Sequence, residues 1–296
     1  MSSYPGRPLD AALNRMERPR PGGITWTVAG ERIALLAWPR AILLQLAHPL
    51  VAAGVARHSG FRASPFAPFA RLHATVAAMR QLTFGSDDEA AAVLRRILGI
   101  HDRVHGTLRE RTGSHEPGTR YSAHDPALLL WVHAALLDSH LRILEPILRP
   151  FTPEERDRYC HEAAPYAEVL GATPGDVPHT WQHLQDYMTG EIASGRVTVG
   201  ADARALAPAI LRPVCPRLLG PVHQPGELVT VGSLPRAIRD GYGFAWSAVR
   251  ERRRDRVLAT VQRLRRLTPD VIARWPEARR IDRWRPGGTS GRIGHA

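Results

Sequence analysis

Residues 33–55, IALLAWPRAILLQLAHPLVAAGV, form the most hydrophobic stretch of the chain and decide its class of fold. The stretch has the length that a transmembrane helix needs, about 20 residues. However, Arg40 and His48 lie near its middle, and two prolines interrupt its helical pattern. Because a charge at the centre of a bilayer costs at least about 2.5–3.5 kcal/mol, we expect this stretch to be buried in the core of a soluble helical protein. A bent hairpin on a membrane surface is the alternative.

Around this stretch, the chain repeats one signal for the start of a helix, a capping residue followed by proline. The side chain of the first residue accepts a hydrogen bond from the helix, and proline already has the φ angle of a first helical residue. The four pairs are Ser64-Pro65, Asp125-Pro126, Thr152-Pro153 and Thr268-Pro269. With the apolar spacing, they predict helices near residues 9–18, 31–46, 48–58, 65–83, 87–111, 126–149, 153–170, 176–194, 202–211, 235–250 and 253–276.

Alternating patterns typical of strands are almost absent. Only residues 196–200 and 227–231 alternate as a half-buried strand would. We therefore expect an all-α fold made of a single multi-helix domain. The domain is predicted to cover residues 25–277, after an N-terminal extension at 1–24 and before a basic flexible tail at 278–296.

The composition excludes several classes of protein. The chain has 296 residues, of which 44% are hydrophobic and 23% charged, as in an ordinary globular protein. Only Cys160 and Cys215 are present, which excludes a disulfide-stapled scaffold, a four-thiolate metal site and covalent haem attachment. No export signal is visible at the N-terminus, so a cytoplasmic location is expected.

The net charge of +12 is concentrated near the C-terminus. From Arg250 to Ala296 there are fourteen arginines and five acidic residues, a net charge of +9, and the chain has no lysine. Such a segment could bind nucleic acid or an anionic membrane surface. Because no nucleic-acid-binding motif accompanies it, we prefer a solvated helix with a frayed end. No nucleic acid is expected as a partner, and a weak contact with a membrane surface stays an alternative.

Several of the fourteen histidines lie on apolar faces, where an imidazole could bind iron, zinc or copper. In the helix predicted for 87–111, His101 adjoins the apolar stripe, and His105 follows at i+4 on the same face. The stripe is formed by Val93, Ile97, Ile100 and Val104.

Other candidate positions have simpler explanations when each is taken alone. His48 and His133 are surrounded by aliphatic residues, so both are expected to be neutral, hydrogen-bonded and structural. Arg71 and Thr75 are four residues apart and project from one face of the helix predicted for 65–83, as ordinary surface residues also do.

In their order along the chain, these motifs resemble one family. The series is LLQLAHPLVAAGVARHS at 43–59, Arg71 with Thr75, HDRVHG at 101–106, YSAHDP at 121–126 and LLWVH at 129–133. Over roughly residues 25–250 the chain is similar to the MpaB-type oxygenases, which include the catalytic domain of rubber oxygenase (latex-clearing protein). The resemblance implies a globin-like, haem-binding helical bundle with non-covalent haem b. It also implies the use of O2 to cleave a carbon–carbon double bond in an isoprenoid chain.

The resemblance further implies roles for individual residues. His101, in the pattern His-x-x-Val-x-Gly, matches the proximal ligand of the haem iron. Arg71 and Thr75 match the catalytic pair that flanks bound O2. His105 is the competing ligand, while His48 and His133 are expected to line the cofactor pocket or brace the core. The implied pocket is lined by the segments 41–58, 65–83 and 126–141.

Two features depart from the rubber oxygenase pattern. Ala74 stands where a lysine can close the sixth iron position, and residues 49–70 contain no acidic residue to act as a base. The sequence therefore predicts an enzyme of broader description, a haem b-dependent oxygenase or oxidoreductase acting with O2 on a small apolar molecule such as an isoprenoid or alkene. An electron donor, which the sequence does not identify, completes the expected partners. A non-catalytic carrier of haem or of a hydrophobic ligand is the alternative.

Overall fold

The computed structural model describes residues 16–58, 67–212 and 220–283, and within them the side chains of 67–72, 220–223 and 281–283 are left out. The described chain is predominantly helical and confirms the predicted all-α domain. Its helices are α1 Ile24–Gly30, α2 Trp38–Ala47, α3 Pro49–His58, α4 Ala67–Phe84, α5 Asp87–His101, α6 Pro126–Leu144, α7 Pro153–Leu170, α8 Trp181–Ala193, α9 Ala201–Leu211, α10 Gly220–Gly232, α11 Arg236–Gly241, α12 Ala248–Leu267, α13 Asp270–Ala273 and α14 Pro276–Arg283. Short 3-10 helices cover Arg32–Ala37 and Pro174–Asp176, and one antiparallel hairpin pairs β1 (His105–Thr107) with β2 (Arg120–Ser122). The globin-like arrangement stays a prediction.

The predicted caps start two of the long helices. Asp125 accepts a hydrogen bond from the backbone of Ala127 at 2.9 Å, at the start of α6. Thr152 and Glu155 form a reciprocal capping box at the start of α7. Thr268 has a different role, because its hydroxyl donates to the carbonyl of Leu264 at 2.7 Å and so helps to end α12. The pair Ser64-Pro65 lies outside the described residues.

The stretch 33–55 is mostly buried, as predicted, but it is not one straight helix. The segment Arg32–Ala47 and the following helix α3 are bent by 108° at His48. Within the described residues, α6 is the one helix that is long and apolar enough to cross a membrane, and 72% of its apolar window is buried. Inside the molecule, α2 packs against α6 and against α3.

A buried ion pair explains the charge in the middle of the apolar stretch. Arg40 of α2 is fully buried, and its guanidinium donates to Asp138 of α6 at 2.7 Å, to Ser139 at 2.7 Å and to the carbonyl of Ser233 at 2.9 Å. The second oxygen of Asp138 accepts from Gln185 of α8 at 2.8 Å and from Arg142. Burial raises the pKa of Asp138, but Arg40 and Arg142 outweigh this effect and hold the pKa below its usual value. The network joins α2, α6, α8 and the end of α10.

Several elements differ from the sequence prediction. The helix predicted for 87–111 ends at His101, since the following residues pair in the β1–β2 hairpin. The stretch 227–231, which alternates as a half-buried strand would, is part of α10, where Val229, Thr230 and Val231 are all buried, so the alternation does not mark one apolar face. Residues 196–200 form no strand, although Val197 and Val199 are buried.

The predicted helices near both ends of the chain also change. The helix predicted for 235–250 is divided into α11 and the start of α12, with Gly243 at φ +74° between them. Most of the helix predicted for 9–18 lies outside the described residues, and residues 16–18 are not helical. The domain boundary predicted at residue 277 falls within α14, whose Ala278 is fully buried against Trp26 and Phe84.

The buried ion pair gives a test of the fold. We expect Asp138→Ala to lower the free energy of unfolding by about 3–5 kcal/mol, because it leaves the guanidinium of Arg40 buried without its counter-charge. The double variant Arg40→Met/Asp138→Leu removes both charges and is expected to recover most of this loss. Urea denaturation of the wild type and of both variants measures the difference.

The matched control is Asp240→Ala, which removes one partner of the exposed Arg236–Asp240 pair. That variant should change the free energy of unfolding by about 1 kcal/mol or less. An Asp138→Ala protein as stable as this control would contradict the structural importance of the buried pair.

Candidate functional site

Helices α4 and α5 form a hairpin that carries the principal candidate residues. Only Gly85 and Ser86 join the two helices, so they run antiparallel. With a rise of about 1.5 Å per residue, Arg71 lies about 20 Å from the end of α4, and His101 lies about 21 Å from the start of α5. The backbone of Arg71 is therefore level with that of His101, at the end of the hairpin far from the turn. The packed side chains between the helices are Ala78, Leu82, Ala90, Val93 and Leu94.

His101 is the last residue of α5 and continues the buried stripe of this helix, three residues after Leu98 and four after Ile97. Its side chain is half-buried, and Nδ1 is buried with no hydrogen-bond partner among the described residues. Burial, with a smaller effect of His124, lowers the pKa of His101 to about 4. The imidazole is therefore neutral at pH 7 and keeps a lone pair for a metal. Ile100, predicted to be buried, is 46% exposed, because the stripe runs through Leu98 instead.

His124 and Asp102 form a hydrogen-bonded pair beside this imidazole. The His124 Nε2 atom lies 2.8 Å from Oδ1 of Asp102, and the ring centroids of His101 and His124 are 5.7 Å apart in an edge-to-face arrangement. The hairpin brings them together, since the backbone of Ala123 donates to the carbonyl of Val104 at 2.8 Å. The carboxylate fixes the orientation of the His124 ring next to the candidate ligand.

The Val-x-Gly part of the motif packs the end of α5 onto α3. A side-chain carbon built on Gly54 of α3 would lie 3.2 Å from Val104. One built on Gly106 would lie only 2.7 Å from the hydroxyl oxygen of Tyr121 and 2.9 Å from its ring. Tyr121 is itself buried, at 4% exposure, and cannot move aside. Glycine at 106 is therefore required for the contact that positions the segment after His101.

His105 does not share a helix face with His101. It lies in β1, opposite Ser122, and its side chain is exposed. The predicted i+4 relation fails because α5 ends before His105 is reached. His105 therefore shares no helix face with His101, and its place as the competing ligand stays a prediction.

His48 has a structural role at the bend between α2 and α3. It is 5% exposed, and its Nδ1 accepts a hydrogen bond from the backbone of Leu50 at 3.3 Å, as the side chain of an N-cap residue does. Its ring centroid lies 5.1 Å from that of His115. Burial, with smaller effects of His115 and Arg196, lowers the pKa of His48 to about 3. The hydrogen bond agrees with the prediction of a hydrogen-bonded imidazole, and a place of His48 in a cofactor pocket stays a prediction.

His133 is buried in α6, but it departs from the prediction in one respect. Its Nε2 atom is buried and has no hydrogen-bond partner among the described residues. His133 lies four residues after Leu129 and seven before His140, on the side of α6 that packs against α7. Burial lowers the pKa of both histidines to about 4. His140 differs from His133 in that its Nδ1 lies 3.1 Å from the hydroxyl of Tyr159.

Arg71 and Thr75 lie one turn apart in α4, as predicted. The side chain of Thr75 is exposed, and that of Arg71 lies outside the described residues. Their position relative to His101 follows from the antiparallel course of the α4–α5 hairpin. Residues 59–66, which connect two of the three predicted walls of the pocket, are not described.

Two cavities in the described part of the chain lie elsewhere. One, of about 500 Å3, is lined by residues that include Arg18, His161, Glu162 and His179, and the other, of about 320 Å3, adjoins Trp26 and Phe84. Neither is bordered by His101 or His133. Within the described ranges, no group of three or more His, Cys, Asp or Glu side chains is placed to hold a metal ion. A protein-only metal centre is thus not found at His101 in this part of the chain.

Sequence reasoning missed the His124–Asp102 pair and the His48–His115 contact. The residues of the first pair are 22 apart and meet only because of the register of the β1–β2 hairpin, which was not predicted. Its one available signal was the occurrence of both residues in the quoted motifs HDRVHG and YSAHDP.

Together these features define an all-α protein with a candidate cofactor site built on neutral histidines. The family model for "ER-bound oxygenase mpaB/B'/Rubber oxygenase, catalytic domain" matches residues 26–266. The chain belongs to this family of oxygenase catalytic domains, which confirms the resemblance found in the motifs. No curated protein and no solved structure in the comparisons matches the chain.

The glycine of the motif gives a test of the packing at this site. We expect Gly106→Ala to lower the free energy of unfolding by about 1–3 kcal/mol, because the added carbon collides with buried Tyr121. The matched control is Gly99→Ala, since nothing lies within 4 Å of a side-chain carbon at that helical position. This control should raise stability by about 0.5–1 kcal/mol. Thermal denaturation compares the two, and equal effects would contradict the Tyr121 contact.

The buried histidines predict how stability depends on pH. The pKa of His133 is about 4 in the folded chain against an ordinary value of 6.5, so between these pH values only the unfolded chain takes up the proton. Stability should therefore fall as the pH is lowered from 6.5 to 4. In His133→Leu this fall should be smaller, because one of the uncharged buried imidazoles is gone. Urea denaturation at several pH values measures the slope, and an unchanged slope in the variant would contradict the assignment.

Proposed function

We propose that this chain is a haem b-dependent oxygenase that acts with O2 on a small apolar substrate, with His101 as the ligand of the iron. The observation that carries the proposal is the neutral imidazole of His101, which has an unpartnered buried nitrogen and lies at the end of a buried helical stripe in an oxygenase domain.

The residues around His101 fit a haem better than a bare metal ion. A porphyrin supplies four nitrogen ligands, so a haem iron needs only one imidazole from the protein, whereas a bare ion needs three or four side chains. A buried polar atom without a partner destabilises the protein, and metal coordination by the ring would compensate for that. When bound, the haem would supply the binding and activation of O2.

The chain's own groups would hold and orient the reactants. The carboxylate of Asp102 keeps the His124 ring against that of His101, and so restricts how the candidate ligand can turn. Arg71 keeps its positive charge at every accessible pH and would stabilise negative charge that develops on oxygen. The hydroxyl of Thr75, one turn further along the same helix, would donate a hydrogen bond beside it.

The surface at this end of the hairpin favours an apolar and bulky ligand. Ile100 exposes 46% of its surface next to His101, and Gly99 has open space on its side-chain side. On the opposite helix, Ala74 is exposed and adds neither charge nor length. An uncharged, apolar substrate such as an isoprenoid or another alkene suits these surroundings, because burying it requires no counter-charge.

Haem reconstitution tests the proposal. The wild-type chain should develop a Soret band and bind haem, while His101→Ala should lose the band or shift it strongly. His105→Ala is the matched control, because it removes an exposed imidazole four residues away and should leave the spectrum unchanged. A Soret band that is the same in His101→Ala and in the wild type would overturn the ligand assignment.

Oxygen consumption separates an oxygenase from a carrier of haem. The reduced, reconstituted protein should consume O2 in the presence of an isoprenoid alkene, and carbonyl products should appear. Arg71→Ala and Thr75→Val should each slow this reaction by about ten- to a thousandfold while the Soret band is kept. A protein that binds haem through His101 but consumes no O2 with any alkene would favour the non-catalytic carrier.

A further inference from the structure

The exposed hydrophobic side chains are concentrated at one place. Of the seven large hydrophobic residues that are exposed in the described part of the chain, four lie within nine residues at the end of α12 and in α13. Leu267 is 81% exposed, Ile272 61%, Leu264 59% and Val271 57%. We refer to these four side chains as the apolar tip. Such a concentration of exposed apolar side chains marks an interaction site for another protein, a membrane or an apolar ligand.

Helix α12 is attached to the body by its inner face. Val257, Leu258 and Val261 pack against the cluster that contains Val229 of α10. Near the end of the helix, both guanidinium arms of Arg265 donate to the buried carboxylate of Glu31, at 2.6 and 2.8 Å. The apolar tip therefore follows a helix that is packed against the body of the protein. Its exposure does not arise from an unattached segment.

The outer face of α12 is strongly basic. Five arginines are exposed on it, and none of them forms an ion pair with another described residue. They are Arg252, Arg253, Arg256, Arg263 and Arg266. Helical spacing places Leu267 on the same side as Arg256 and Arg263, eleven and four residues earlier. Leu267, the most exposed member of the apolar tip, therefore points to the same side as the positive face.

This combination distinguishes the possible partners. A nucleic acid would use the arginines for its phosphates but would leave the four apolar side chains in water. A second copy of the chain would bring another face with the same positive charge against this one, which is unfavourable. An anionic bilayer uses both features, since its headgroups attract the arginines and its acyl chains accept the apolar side chains.

We propose that α12 and α13 form a membrane-docking surface, in which the outer arginines bind anionic phospholipid headgroups and the apolar tip enters the boundary of the acyl chains. This surface is separate from the His101 site and does not depend on the haem assignment.

Flotation with lipid vesicles tests the docking surface, using the full chain. The protein should bind to vesicles that contain both phosphatidylcholine and phosphatidylserine. It should bind much less to vesicles of phosphatidylcholine alone. Binding should weaken when the salt is raised from 0.15 to 1 M, as the screening length falls from about 8 to 3 Å. Because each arginine near an anionic surface contributes roughly a fivefold factor, R252Q/R256Q/R263Q should lose about a hundredfold in partitioning.

Two further variants separate the docking surface from general charge. R109Q/R120Q/R236Q removes the same number of exposed arginines outside α12 and should bind vesicles at least ten times better than the α12 variant. L264S/L267S keeps all the charge and should lose roughly tenfold per leucine if the tip enters the membrane. Circular dichroism checks that every variant is folded, which is expected because the changed side chains are exposed.

Three results would overturn the proposal. Equal losses in the two arginine variants would mean that only the net charge matters. Unchanged binding in L264S/L267S would mean that the apolar tip stays outside the lipid. Vesicle binding that is absent in the wild type, with DNA binding or a dimer lost in the α12 variants, would assign this face to a nucleic acid or to a second copy. None of these readouts involves haem, so they are independent of the Soret experiment.

Discussion

At the centre of the fold, Arg40 and Asp138 form a buried ion pair in which neither partner can be lost alone without leaving an unpaired buried charge. A fully buried guanidinium is tolerated only when its charge and its hydrogen-bond donors are all matched, and here the partners come from α6 and from the end of α10. Asp138 in turn accepts from α8, so a single carboxylate holds three helices in fixed relation. The apolar surfaces of α2 and α6 allow many relative positions, because hydrophobic attraction has no direction. The hydrogen bonds of the ion pair do have direction, and they hold Arg40 of α2 against Asp138 of α6, two turns before the bend at His48.

The candidate site is a consequence of this arrangement. Since α3 leaves the bend in a set direction, it presents Gly54 to Val104 and so receives the segment that follows His101. The hairpin closes over it through Tyr121 and Gly106 and delivers His124 to Asp102. Burial is the first cause of the lowered pKa values of His48, His101 and His133. These imidazoles are therefore uncharged at pH 7, and the charge that the proposed chemistry uses comes from Arg71.

The sequence predicts some parts of this arrangement well and others poorly, for identifiable physical reasons. Helix starts at Asp125 and Thr152 were predictable, because a cap depends on residues only two or three positions apart. The burial of 33–55 was predictable from its charge and prolines, but the partner of Arg40 lies 98 residues away and carries no local signal. His101 could be selected from its stripe and its motif. The predicted i+4 relation of His105 to His101 fails, and His124 reaches Asp102, because a hairpin follows α5. Its strands have only three residues each and are too short to leave an alternating pattern.

The distribution of charge connects the proposed chemistry with the proposed docking. O2 and an alkene carry no net charge, so the long-range field of the protein does not steer either of them to the proposed site. Eight of the arginines after residue 249 lie in α12, against the two acidic residues Glu251 and Asp255, and the exposed ones lie on the same helix as Leu267 of the apolar tip, which suits the proposed anionic bilayer. Apolar substrates are enriched in such a bilayer by the same hydrophobic effect that buries the core. Binding to the membrane would place the enzyme where its proposed substrate is concentrated. The positive charge would attract the protein to the bilayer and would have no effect on the uncharged reactants.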